Sequence, residues 1–227
     1  DRSLEIAWTA KLFPDCDRYL SVYEQAGLVG ERSVFAHGIY LDERDRTTLS
    51  RCGCALAHCP TSNLFLGSGL FNLSKAKDPQ YPIKVGLGTD IGGGTSFSLL
   101  HTGGEAYKIA QLRNQTLNPF QALFLATLGG AQALSLEHQL GNFLPGKEAD
   151  FIVLDPQATS TLRFRNQSCL SRLQAVDSTS EGINPIAATD LLEALQSLVF
   201  SLLILGDDRA VRATYIAGKP AHHRENV

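Results

Sequence analysis

Short, near-continuous apolar runs bounded by turn residues set the rhythm of the first part of the chain. "SVFAHG" (33–38), "CALAHCP" (54–60) and "IKVGLGTD" (83–90) show no polar alternation. That is the pattern of strands buried on both faces of a parallel sheet. Between and before them, apolar positions recur at helical spacing. Residues 4–12 ("LEIAWTAKL") and 17–26 ("DRYLSVYEQA") predict amphipathic helices, the second closed by Gly27. Residues 42–51 ("DERDRTTLSR") predict a charged surface helix ended by Gly53. Pro60 stops the second strand, and a long loop containing Gly67 and Gly69 comes after it. A helix of about five turns is predicted from Ser96 to Arg113. Asn118 and Pro119 open another as N-cap and first helical residue, running to Gly129–Gly130, with a short helix over Ala131–Leu134 beyond. Strands alternating with helices make this an α/β chain, either an open doubly wound sheet or a barrel.

After Gly141 the pattern changes. "ADFIVLD" (149–155) and "ATYIAGKPA" (213–221) predict strands of a smaller β-rich unit, with a polar segment (156–185) and an apolar helix (about 188–204) between them. The longest apolar stretch, "LQSLVFSLLILG" (195–206), is too short to span a bilayer, and no signal peptide precedes the first helix. The first residue is Asp1, which fits a chain that starts downstream of its gene's beginning.

Composition narrows the classes further. A hydrophobic fraction of 44% with 19% charged residues is that of a folded globular chain, and 227 residues allow a sizeable core. The formal net charge of −3, without a block of one sign, gives no sign of a nucleic-acid surface or a basic membrane face. Five cysteines form no disulfide framework, so reduced thiols in a cytoplasmic compartment are expected. Cys52, Cys54 and Cys59 have no zinc-finger spacing, and Cys54 reads as a small core hydrophobe.

The chemistry concentrates at strand ends. The first predicted strand ends on His37, the second on His58-Cys59-Pro60 and the third on Asp90. In α/β barrels these C-terminal ends face the active site. An imidazole and a carboxylate converging there suit either binding a divalent metal or moving a proton to and from a metal-activated water. Gly92, Gly93 and Gly94 would then let the backbone turn without blocking a ligand. On pattern alone, Asp90 could equally cap the next helix with the glycines as a plain loop. The glycine run lacks a Walker lysine and the G-x-G-x-x-G register, which argues against a nucleotide phosphate loop. His58, inside an apolar run, reads as a hydrogen-bonded core residue, and Ser62 and Asn63 as residues fixing the loop backbone. His101, His138, His222 and His223 are assigned no chemistry.

Four stretches, "AHCPTSNLFLGSGLFNL" (57–73), "VGLGTDIGGGTSFSLL" (85–100), "LATLGGAQALSL" (125–136) and "LGNFLPGKEADFIVLD" (140–155), resemble the amidohydrolase superfamily. With "LGDDR" (205–209) they are most similar to its guanine-deaminating branch. The resemblance covers nearly the whole chain and is loosest over 156–185. It implies the C-terminal part of a TIM-type (β/α)8 barrel (strands six to eight, residues 1–140) and part of a small β-sandwich with a helical excursion (141–227). It implies zinc-dependent hydrolytic deamination of guanine to xanthine and ammonia, and a homodimer in the intact enzyme. Asp90 matches the aspartate that ligates zinc, contacts the substrate and accepts a proton from the attacking water. His37 matches the histidine that orients that water. No H-x-H occurs in the chain, and the family's fifth-strand histidine three residues before a catalytic glutamate and its purine-holding residues belong to the part that is missing, so this chain alone is expected to be inactive. Related aminohydrolases and triazine hydrolases share "HCP-x-SN" and "GTD", whereas the "GGGTSFS" and "LGDDR" runs favour guanine; a non-catalytic interaction module is the reading from a different class.

Overall fold

The computed structural model of the protein describes residues 2–177 and 185–224. The predicted alternation is present. Helices α1 (Arg2–Leu12) and α2 (Tyr19–Gln25) lead into β1 (Val34–Ala36), α3 (Glu43–Arg51) and β2 (Ala55–His58). Next come α4 (Pro60–Phe65), α5 (Leu73–Ala76) and β3 (Lys84–Leu87), then α6 (Leu99–Leu112), α7 (Pro119–Ala126) and α8 (Leu128–Ala133). The second part holds β4 (Phe151–Leu154), α9 (Ser160–Asp177), α10 (Pro185–Leu205), β5 (Val211–Ile216) and β6 (Lys219–His223). Strands β1, β2 and β3 form a parallel sheet in that order, with Phe35 opposite Leu56 and Leu56 opposite Val85. Strands β4, β5 and β6 form a separate antiparallel sheet.

Local chemistry explains most boundaries. Asp42 caps α3 by accepting from the Asp45 N–H at 2.7 Å, and Asp45 accepts in turn from the Asp42 N–H at 3.2 Å. The Arg18 guanidinium, ahead of α2, pairs with this nearly buried Asp45 and with Glu24 at 2.8 Å, pinning α2 to α3. Asn118 caps α7 in the same way, with Gln121 as its partner.

Several expectations are corrected. The stretch after Pro60 is not a plain loop: proline at the first helical position starts α4, and the Asn72 cap starts α5. Helix α6 is shorter than expected, because Ser98 rather than Ser96 is its cap. Gly129 and Gly130 do not end a helix; α7 stops at Ala126 and the two glycines lie inside α8. They are there for contact. A Cβ on Gly86 of β3 would sit 2.8 Å from the Gly130 Cα, and one on Gly129 would sit 2.9 Å from the Val85 carbonyl oxygen. Strand and helix touch backbone to backbone. "ATYIAGKPA" is not one strand but a hairpin, β5 turning into β6 at Ala217 and Gly218, both at positive φ. The polar segment at 156–185 is largely helix α9; positions 178–184 of it lie outside the described residues.

The apolar stretch 195–206, expected to be too short for a bilayer, is the end of a 21-residue helix. Its window Ala188–Leu205 has a mean hydropathy of 1.6, long and apolar enough to cross a membrane by length and composition. Here α10 packs against α9, α6 and α7. It places Leu203 in the main core with Leu56, Val85, Ala106 and Leu125, and Leu202 in a second cluster with Leu162 and Ala210.

The α6–α10 contact rests on two glycines with different tolerances. A Cβ on Gly103 would meet the movable tip of Leu203 at 2.8 Å, whereas one on Gly104 would meet the Leu203 backbone oxygen at 2.6 Å. Alanine gains about 1 kcal/mol over glycine within a helix, while overpacking costs about 1–3 kcal/mol. Urea unfolding of the intact protein carrying this chain should therefore find Gly103→Ala near neutral and Gly104→Ala destabilising by about 1–2 kcal/mol. Equal effects of the two would refute the rigid helix contact.

Candidate active site at the strand ends

Parallel pairing puts the ends of β1, β2 and β3 side by side, and the chain leaves each with a polar residue. His37 comes directly after β1, its N–H donating to the Ala57 carbonyl at 2.9 Å, and has φ +70. Asp90 lies three residues beyond β3 with φ +47. Left-handed backbone at a non-glycine residue costs on the order of 1 kcal/mol and persists only where the surroundings impose it. Both residues of the expected pair carry that strain. The imidazole Nε2 of His37 lies 3.7 Å from the Asp90 carboxylate, and both side chains are partly exposed, at 42% and 40%.

Asn63 holds the histidine. Its side-chain oxygen lies 2.8 Å from His37 Nδ1. An amide oxygen can only accept, so Nδ1 carries the proton and Nε2 is left to face Asp90. The expectation that Ser62 and Asn63 fix loop backbone is thus corrected: Asn63 positions a side chain, and Ser62 Oγ has no hydrogen-bond partner. The residue that ties the backbone is Thr61, whose hydroxyl donates to the Thr89 carbonyl at 3.1 Å, joining α4 to the segment leading to Asp90. Nothing in the sequence separated Thr61 from its neighbours; only its place in "HCPTSN" could have pointed to it.

The glycine run now has a structural account. Asp90 does not cap the next helix; Ser98 does. After Asp90 the chain makes a tight turn in which the Gly94 N–H donates to the Asp90 carbonyl and Gly92 adopts φ +113. A Cβ on Gly93 would stand 2.8 Å from Ser62 Oγ and 3.2 Å from the Asp90 carboxylate. One on Gly94 would overlap the Thr89 carbonyl oxygen at 1.8 Å. The glycines permit the approach of this turn to α4 and keep the Asp90 carboxylate open.

His58 is a core residue, as expected, but not a fully hydrogen-bonded one. It is 2% exposed, stacks on Phe71 with ring centroids 4.5 Å apart, and its Nδ1 has no partner. Burial lowers its pKa from 6.5 to about 3, so the ring stays neutral. Cys59 beside it is held as the thiol, pushed up to about 11 by burial and then by the Asp90 charge. His58 Nδ1, Ser62 Oγ and Asn63 Nδ2 form a set of buried, unpartnered polar atoms within six residues, from 58 to 63. Among the described residues, no group of three or more His, Cys, Asp or Glu side chains could hold a metal ion. The His37–Asp90 pair has suitable donors but is short of the three protein ligands of a catalytic zinc.

Two stretches distant in sequence also meet. Ser96, Phe97, Ser98 and His101 share a cleft with Gly206, Asp207 and Asp208. Asp207 is occupied structurally: it accepts from the Arg209 backbone and guanidinium, and the side-chain bond to Arg209 lowers its pKa.

The chain matches the amidohydrolase family over residues 2–220. It is 46% identical to a guanine deaminase of Escherichia coli over 97% of this chain and 44% of that protein. The solved structure of E. coli guanine deaminase superposes with a TM-score of 0.80, covering 97% of this chain and 46% of that one. A guanine deaminase from Bradyrhizobium japonicum, 33% identical, superposes with a TM-score of 0.82 over 95% of this chain and 48% of that one. The chain therefore spans less than half the length of the curated relatives it matches.

The neutral, buried His58 has a pH consequence. Its folded pKa lies below the unfolded value, so between pH 6.5 and about 3 the unfolded chain binds the extra proton and stability falls as pH falls. The slope approaches about 1.4 kcal/mol per pH unit in that window and vanishes above it. Denaturant titrations at pH 4 and 7 should show His58→Phe flattening that dependence; an unchanged slope would mean the acid loss arises elsewhere.

Proposed function

This chain belongs to the amidohydrolase family, and on that premise we propose that it is the C-terminal part of a guanine deaminase. The reaction is hydrolysis of guanine: water adds to C2, the C2–amine bond breaks, and xanthine and ammonia leave. The observation that carries the reading is the His37–Asp90 pair, brought together from the ends of β1 and β3 on either side of β2, and held by Asn63 and by the glycine turn. The extent of the likeness to the E. coli enzyme supports guanine as the substrate.

In this reading residues 1–140 are part of a TIM-type (β/α)8 barrel, with β1 to β3 as its last three strands. Residues 141–227 belong to a small β-sandwich, from which α10 reaches back onto α6. The strand ends face the purine, as the C-terminal ends of barrel strands do. Asp90 contacts the substrate, takes the proton released by the attacking water and passes it toward the departing amine. The Nε2 of His37 orients that water through its lone pair, which the Asn63 bond at Nδ1 keeps available. Desolvation of the pair on substrate binding would strengthen both interactions.

Zinc is the metal we propose for the intact site, with Asp90 as one ligand. The described residues of this chain do not by themselves fit a catalytic zinc, since among them no group of three ligands forms and the site brings together Asp90 and His37. The other ligands, and the contacts that hold the purine, would come from polypeptide outside this chain. By itself the chain should release no ammonia from guanine. The intact protein should act as a homodimer.

Two measurements test the assignment on the intact polypeptide. With guanine as substrate, followed by xanthine formation, Asp90→Asn should lower kcat by roughly a thousandfold and His37→Gln by roughly a hundredfold. Bound zinc should fall in the first and stay in the second. Full turnover in Asp90→Asn, or release of ammonia by this chain alone, would overturn the proposal. Gly93→Ala, whose Cβ would crowd Asp90 and Ser62, should lower kcat with little change in thermal stability.

A further inference from the structure

We propose that a cavity bordered by α3, α5 and the end of α6 binds a small free oxyanion of the phosphate type. The cavity measures about 110 Å³ and is open to solvent. Arg46, Lys75 and Arg113 line it, over an apolar floor that includes Phe71 and Ile83. Three cations thus come from three separate helical segments to one small space.

Their convergence on one cavity with no carboxylate between them is the telling feature. Among the described residues, no carboxylate pairs with any of the three, although acidic residues outnumber basic ones in the sequence, 23 to 20. Other cations, such as Lys84 and Arg212, also lack a carboxylate partner among the described residues, while Arg18, Arg44, Lys108, Arg172, Arg209 and Arg224 have one. What sets Arg46, Lys75 and Arg113 apart is that they meet at one cavity. The two cavity arginines are instead anchored on backbone. Arg46 donates to the Leu41 carbonyl at 3.1 Å, and Arg113 donates to the Leu70 carbonyl at 3.1 Å. Each guanidinium is held by one donor with others free, a preorganised fork of the kind that matches phosphate oxygens. The one lining side-chain acceptor that could repel an anion, the Asn72 oxygen, is engaged by the Lys75 N–H at 3.0 Å and the Gln115 amide at 2.7 Å.

Size selects the ligand. The space has room for one tetrahedral oxyanion and is too small to enclose a nucleoside. Gly38 and Ile39, which carry the chain away from His37, form part of the wall. A bound anion would brace that segment from behind. The proposal does not depend on the deaminase reading, since it uses none of the residues assigned to catalysis.

The test is calorimetric titration of the intact protein with inorganic phosphate at fixed ionic strength, with chloride as the reference. Saturable binding at one site per chain is expected. Arg46→Gln and Arg113→Gln should each weaken it on the order of tenfold, the loss of a charge-assisted bond. Lys108→Gln, removing a cation already paired with Glu105, should leave it unchanged. Adenosine monophosphate should fail to compete; competition at equal strength would mean that the site takes a phosphate monoester and would overturn the free-ion assignment. If the half-buried Arg46 variant does not fold, Lys75→Glu serves instead, because Lys75 is exposed and its charge reversal should abolish binding. Absence of saturable binding, or binding indifferent to these substitutions, refutes the site.

Discussion

The hydrogen bonds that pair β1 with β2 and β2 with β3 run all three strands in one direction, and the rest of the molecule depends on that. Parallel strands end on the same edge, so the residues just past each strand are brought to one place. Those residues are His37, the "HCPTSN" turn into α4, and Asp90. The strands are only three or four residues long, so their ladders alone could not hold the edge in shape. Cross-links beyond the ladders do so: His37 to Asn63, and Thr61 to Thr89.

Close backbone approach is the second recurring device. Gly86 against Gly130 seats α8 on β3, Gly104 against Leu203 seats α10 on α6, and Gly93 against Ser62 seats the Asp90 turn on α4. In each case a methyl group would stand inside contact distance of its neighbour. The first two contacts close layers of the fold, while the third shapes the site, where the same economy of side chains leaves a carboxylate open to a ligand.

Polar groups divide into those the fold consumes and those it leaves available. Arg18, Asp45, Asp207 and Arg209 are engaged in joining or capping elements. His37 and Asp90 are partly exposed and both at positive φ; in the proposed reading they are kept ready for chemistry at some expense to stability. Ser62 Oγ and Asn63 Nδ2, buried without partners close by, belong to the same local imbalance.

The sequence by itself determined the local part. Apolar runs without alternation identified β1, β2 and β3 as parallel strands, though only β2 and β3 are buried and β1 is an exposed edge, and Asn118-Pro119 marked the start of α7, because burial and capping leave one-dimensional signatures. The strand-end residues His37 and Asp90 were legible for the same reason. Other features had no such signature. Gly129 and Gly130 read as a helix end, since only the packed β3 shows why an interior helix needs them. The "ATYIAGKPA" stretch read as one strand because a turn through Ala217 lacks the usual turn residue at its first position. Asn63 read as a backbone-fixing residue because its partner lies 26 positions away. The meeting of Arg46, Lys75 and Arg113 was likewise invisible in the chain. Propensity and pattern act over a few residues, whereas a side chain's partner is decided by which segments the tertiary fold brings within about 3 Å.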